Sequence, residues 1–195
     1  MSQPDFPPLL SQLLAQYGPV NQQDLHLLFP LLRRQTLRKG EHFLALGQVC
    51  DRIAFLTKGI LRAYFPLGER EVTTYFNFLP RNPIVAGFSS LIRQQASQEA
   101  LQALQDCELL YLSYSDLQQL YRQSHSFERL GRLMMEQNYL ASVQRIQSFQ
   151  TQSASERYQH LLQKYPNLLN QVPHHYIASY LGITPESLSR IRTQT

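Results

Sequence analysis

The stretch HHYIASYLGITPESLSRIRT, residues 174–193, decides how this chain is read. Two helices crossing closely over a tight turn need a small residue in the first helix, and Ala178 fills that place. Four residues later the turn needs a residue that tolerates positive φ, which Gly182 supplies. The contacts joining the pair then fall on Ile177, Leu181, Ile183, Leu188 and Ile191, and every one is apolar. Thr184 is a good N-cap, and Pro185 stands in the first turn of the second helix, where a missing N–H costs nothing. The spacing predicts a helix-turn-helix.

The outward face of the second helix offers Thr184, Glu186, Ser187, Ser189, Arg190 and Arg192. Arginine can pair bidentately with guanine, glutamate can accept from cytosine N4, and serine or threonine can bind phosphate or base edges. These six are the candidate DNA-binding residues. The competing reading makes the pair a packing unit with solvated charges, because residues 151–195 hold only four Lys/Arg against two Asp/Glu. His174 and His175 read as first-turn residues, since adjacent histidines point different ways and make a poor metal pair.

Working outward, Ser153 and Glu156 have capping-box spacing ahead of Tyr158, Leu161, Leu162 and Tyr165, with Pro166 as a stop. The polar run Thr151–Ser155 reads as a hinge. Before it lies a long helical stretch from Phe127 to about Phe149, with no Pro and one Gly. Phe127, Leu130, Met134, Leu140 and Val143 form a near-heptad stripe, together with Leu133 and Ile146. The stripe predicts a dimer helix, interrupted at Gln137 and Gln144; the alternative packs the same stripe on the chain's own barrel. Tyr114–Gln123 reads as a short helix capped by Ser113 or Ser115.

From Arg34 to about Ser113 short β-branched and aromatic runs alternate with glycine-bearing turns. Ile53–Leu56, Leu61–Phe65, Val72–Phe76 and Leu109–Leu112 are the clearest strands, with tight connections expected at Lys58-Gly59 and Leu67-Gly68. Many short strands argue for a β-barrel or jelly roll. Residues 7–32 read as two short helices, Leu9 to Tyr17 and Asn21 to Leu32, broken at Gly18-Pro19.

The 195 residues suffice for one good core and a small satellite. A net charge of +4 is compatible with nucleic acid. Cys50 and Cys107 lie in no metal-ligand spacing, and two cysteines are too few for an iron–sulfur cluster, so no cofactor and no metal is expected. The absence of a membrane-length apolar run and of a signal-peptide pattern at Met1–Tyr17 predicts a cytoplasmic protein without membrane contact.

The order of parts resembles the CRP/FNR family of bacterial transcription regulators. The segment IAFLTKGILRAY, Ile53–Tyr64, resembles the hairpin of the cyclic-nucleotide-binding fold, and TPESLSR, Thr184–Arg190, resembles the family's recognition helix. The E-x-x-S-R match falls on Glu186, Ser189 and Arg190, which the resemblance implies read base edges. It further implies a homodimer on double-stranded DNA, with an unidentified small-molecule effector and RNA polymerase as further candidate partners. The fold expected is α+β: an antiparallel β-roll sensor over 1–123, a dimerisation helix over 124–150 and an all-α helix-turn-helix domain over 151–195.

The sensor departs from the family pattern. Where cyclic-nucleotide binders carry Gly-Glu-Leu and a later Arg-Ser, this chain has PIVAGFSSLI, Pro83–Ile92, and no Arg near Ser97-Gln98. The candidate effector pocket is Gly87, Phe88, Ser89, Ser90, Arg93 and Ser97, with Arg93 out of register. A cyclic phosphodiester needs positive charge or a nest of N–H groups. The sequence therefore argues against binding of cyclic AMP or GMP. With about one turn after Arg192, no β-hairpin wing is expected. Two rival classes are a protein-interaction or scaffold module using the long helix, and a cupin-like enzyme. The barrel region holds only His42, with His26 just before it, so no catalytic residues are assigned.

Overall fold

The computed structural model describes residues 14–15, 17–18 and 22–193. Of the first predicted helix, Leu9, Leu10 and Leu13 lie outside the described residues, as does Asn21 ahead of the second. Helix α1 spans Gln22–Leu28 and runs into a short 3-10 turn, Phe29–Leu31.

Eight strands follow: β1 Arg33–Leu37, β2 His42–Leu44, β3 Arg52–Lys58, β4 Ile60–Leu67, β5 Arg70–Phe78, β6 Ile84–Val85, β7 Ala100–Ala103 and β8 Cys107–Ser113, with α2, Phe88–Arg93, between β6 and β7. They form two four-stranded antiparallel sheets, ordered β1-β8-β3-β6 and β2-β7-β4-β5. Side chains alternate across each sheet, so Leu61 and Ala63 of β4 point into the roll with Leu56, Leu101 and Leu109. Each predicted strand is present and longer by one or more residues at each end.

The sequence-level hairpin at Ile53–Tyr64 is not one. β3 and β4 belong to opposite sheets, and Gly59 (φ +97°) carries the chain from one to the other. A Cβ there would lie 2.7 Å from the Asp106 carbonyl and 2.5 Å from Cys107 Sγ, so only glycine fits. The true hairpin is β4–β5, with Leu67 paired to Arg70 across Gly68-Glu69.

Helix α3, Tyr114–Gln123, is capped by the Ser113 hydroxyl, which accepts from Asp116 N at 3.1 Å. Helix α4 runs 27 residues, His125–Thr151. Its first half departs from the expected dimer seam: Phe127, Leu130 and Met134 are buried in the chain's own core against α3 and the outer face of β3 and β8. The physical reason is the apolar outward face of Ile53, Phe55 and Leu112, which needs a cover. Packing there leaves a small apolar pocket of about 30 Å³. The second half behaves differently, with Tyr139, Leu140 and Ile146 exposed and Val143 half-buried.

The hinge shrinks to Gln152-Ser153. Helix α5, Ala154–Lys164, starts at once on the expected capping box: Ser153 N donates to Glu156 Oε2 at 2.7 Å, and Glu156 N donates back to Ser153 Oγ at 3.3 Å. Helix α6, Leu168–Gln171, leads to α7, His174–Leu181, and α8, Pro185–Thr193. These C-terminal helices share a second core, Tyr158, Leu161, Ile177, Ala178, Leu181 and Leu188, that also takes in Ile60, Phe76 and Leu104 from the roll. Packing therefore crosses the boundary that the sequence placed near residue 151.

Candidate functional site

The α7–α8 pair is built as the spacing required. Ile177 and Ala178 are fully buried, Leu188 nearly so, and Gly182 adopts φ +71° in the turn. Ile183 N donates to Ala178 O at 3.0 Å, closing the end of α7. The Thr184 hydroxyl caps α8 by accepting from Ser187 N at 3.2 Å. Outside this core, Thr184, Glu186, Ser189, Arg190 and Arg192 are exposed and Ser187 is half-buried.

These six side chains are not equivalent. The Glu186 carboxyl is held below the usual carboxylate range by its own backbone N–H, then by the Thr184 hydroxyl and by nearby Arg190. It therefore stays an acceptor at neutral pH. Arg190 is exposed and makes no ion pair within 4 Å among the described residues. Arg192 instead donates to the His174 ring at 2.7 Å, which turns it back toward the start of α7. The exposed face of α8 thus presents one acceptor and one unpaired fork-shaped donor, a set able to read base edges.

Two arginines lock the far end of α7. Arg145 Nη2 of α4 donates to Tyr180 O at 2.9 Å, and Arg157 of α5 donates to Leu181 O at 3.0 Å and, through Nη1, to Gln152 O at 2.6 Å. The Phe149 ring lies between their guanidinium groups at 4.8 and 4.7 Å. Cations here satisfy helix-end carbonyls that would otherwise lack donors. Burial lowers the Arg145 pKa. A Cβ on Gly182 would lie 2.7 Å from Phe149 Cε1, so the turn is pressed against α4. The one sign of this clamp in the sequence is that Arg145, Phe149 and Arg157 straddle the hinge, and their partners Tyr180 and Leu181 lie remote in the chain.

The proposed effector pocket looks different at atomic scale. Ser90 is buried, accepting from Cys50 N at 2.9 Å and donating to Gln95 O at 2.5 Å. Ser97, also buried, donates to Glu99 O at 2.7 Å. Gly87 is buried with the Leu44 side chain against it, and a Cβ would lie 3.6 Å from Glu99 Oε1. Phe88 packs on the core, while Ser89 and Arg93 are exposed. Burial pushes the Glu99 carboxyl above its ordinary value. The segment brings together the Leu44 side chain, hydroxyls spent on backbone groups and a part-buried carboxyl, with the Arg93 side chain exposed.

Among the described residues, no three His, Cys, Asp or Glu side chains converge on a metal position. No described helix is long and apolar enough to cross a membrane.

Residues 34–124 match the family model of the cyclic nucleotide-binding domain. The roll is thus similar to cyclic nucleotide-binding domains, and most of the chain shares the fold of solved CRP/FNR-type structures. FixK2 of Bradyrhizobium japonicum superposes with a TM-score of 0.71 at 19% identity, covering 84% of this chain and 83% of that one. A protein of Eubacterium rectale assigned to the CRP/FNR family of transcriptional regulators gives 0.70 at 19%, covering 92% and 87%. CLP of Xanthomonas campestris, described as a c-di-GMP-responsive global regulator, gives 0.68 at 16%, covering 89% and 91%. No curated protein sequence matches the chain significantly. The domain name describes the fold of the roll; the chemistry at Gly87–Glu99 is this chain's own.

Proposed function

We propose that this chain is a sequence-specific DNA-binding transcription regulator that acts as a homodimer through the second half of α4. The observation that carries the reading is the exposed face of α8. Glu186, Ser189 and Arg190 project from a helix whose opposite side is locked into a tight two-helix core. Thr184 and Ser187 are the cap pair, placed to reach phosphate, and Arg192 supports the reading face from the His174 side.

The dimer reading rests on Tyr139, Val143 and Ile146, spaced i, i+4, i+7 along α4, where Tyr139 is 69% and Ile146 58% exposed. A second copy laying the same stripe alongside would bury it and hold two α8 helices about one DNA turn, ~34 Å, apart. The division into a roll over 1–123, a connecting helix over 124–150 and a reading head over 151–195 belongs to this proposal. So do a cytoplasmic location and RNA polymerase as a partner. The roll does not take cyclic AMP or GMP in this reading, because Leu44 and Glu99 occupy the approach to Gly87.

Selection of bound duplexes from a random pool tests the proposal. The expected product is a palindrome bound with an affinity that falls linearly, on log scales, as salt rises. Failure to enrich any duplex at low salt would overturn it. An asymmetric single site would leave DNA reading in place and remove the dimer.

A further inference from the structure

The reading head does not hang from α4 alone. Strand β5 is the edge of its sheet, so its outward backbone groups have no strand partner, and its register against β4 shifts between Ala63 and Tyr64. Helix α7 covers that edge. The Ser179 hydroxyl accepts from Thr73 N and donates to Glu71 O, both at 2.9 Å, so one side chain closes the gap. One turn earlier, the Tyr176 ring lies 3.8 Å from the Arg62 guanidinium, whose other side faces Tyr64 at 4.1 Å. Arg62 is 1% exposed in the middle of β4; it pairs with Glu71 and donates to Gln102 Oε1 at 2.8 Å.

This is a built seat. A buried charged side chain needs partners, and here they come from β4, β5, β7 and α7 together, leaving Nη1 of Arg62 without a hydrogen-bond partner among the described residues. The arginine clamp at Tyr180 and Leu181 fixes one end of α7 to α4, which acts as a pivot. Beside the apolar contacts with Ile60, Phe76 and Leu104, the seat supplies the directional polar contacts that fix the tilt of α7. Because α8 packs on α7, it fixes α8 as well.

We propose that this seat, made by Arg62, Tyr176 and Ser179, sets the half-site spacing that the dimer accepts on DNA. The proposal rests on the DNA-reading proposal above. The three are positioning residues and touch no base. Freed from the seat, each α8 would still read its half-site, but the two would no longer be held at one separation.

The test uses the full chain, a Ser179→Ala variant and a Tyr176→Ala/Ser179→Ala variant. Binding is measured to one half-site, and to paired half-sites at the selected spacing and at spacings shifted by one or two base pairs. Wild-type protein should prefer its own spacing by about tenfold or more, and the double variant by less than about threefold. Affinity for the single half-site should stay within about twofold. Hydrogen exchange at the Thr73 amide should be slow in wild type and about tenfold faster in both variants, while core amides of β3 and β8 are unchanged. A retained spacing preference with an exposed Thr73 amide overturns the proposal. So does an equal loss at single and paired sites, and so does a Thr73 amide already fast in wild type. A wild-type protein that binds no duplex overturns the DNA reading and with it the spacing role, whereas Thr73 exchange reports on the seat regardless.

Discussion

The segment Gly87–Glu99 and the helix α8 are both short, polar and rich in hydroxyls, yet they have opposite fates. In the first, Ser90 and Ser97 spend their hydroxyls on backbone groups inside the roll, and Leu44 fills the space beside Gly87. In the second, Thr184 and Ser187 cap the helix and Arg192 turns back to His174, while Glu186, Ser189 and Arg190 stay exposed to solvent. A polar side chain satisfied within the fold is part of the scaffold, whereas one held rigidly and left unsatisfied can bind a partner. Between Gly87 and Glu99 the roll thus spends its hydroxyls on its own scaffold. The head has kept its chemistry outside.

The sharpest way to break this contrast is Leu44→Ala. Leu44 is 3% exposed, and truncation should cost about 2–5 kcal/mol in denaturant unfolding. Cyclic AMP should still give no thermal stabilisation, because Glu99 remains. Stabilisation that grows with nucleotide concentration would show that Leu44 alone closes the pocket. Next in size, Ser90→Ala strands the Cys50 N–H and the Gln95 carbonyl and should cost about 1–3 kcal/mol of stability without changing DNA affinity.

Arg190→Ala should show the reverse. DNA affinity falls by about 1–3 kcal/mol with specificity relaxed at one position per half-site, while Tm stays constant. A uniform loss over all sequences would make Arg190 a phosphate contact instead. The smallest effect concerns Glu99. Its carboxyl is pushed up by burial, so the folded state holds the proton more tightly than the unfolded chain. Its contribution to stability is present below the ordinary carboxylate pKa and is lost as pH rises through the raised folded value. Glu99→Gln should therefore raise Tm at neutral pH by roughly 2 °C and give no gain at acid pH. An equal gain at both pH values would remove desolvation as the cause.

Much of the architecture was legible from local chemistry. The capping box at Ser153 and Glu156, the Ser113 cap of α3, the αL glycine at Gly182 and the apolar contacts of α7 and α8 all depend on residues within a turn or two of one another. Strand positions followed from β-branched and aromatic runs bounded by glycine-bearing turns for the same reason. The errors were at longer range. Gly59 looked like a hairpin turn because a glycine between two apolar runs permits that. Whether it joins neighbouring strands or crosses between sheets depends on Asp106 and Cys107, nearly fifty residues away.

The stripe on α4 shows the same division. Periodicity placed Phe127, Leu130, Met134, Leu140 and Val143 on one helix, but an apolar residue does not record which surface will cover it. The outer face of β3 and β8 claimed the first three, leaving the second half of α4 exposed. Arg62 is the clearest instance. One arginine within Ile60-Leu61-Arg62-Ala63-Tyr64 carries no local sign of its role, and only the arrival of Tyr176 and the side chains of Glu71 and Gln102 makes its burial tolerable. The sequence by itself determined the elements, their caps and the outward chemistry of α8, because those arise from contacts between near neighbours. Tertiary structure alone decided the plugged pocket, the half-covered α4 and the seat under α7, because each depends on desolvation by residues remote in the chain.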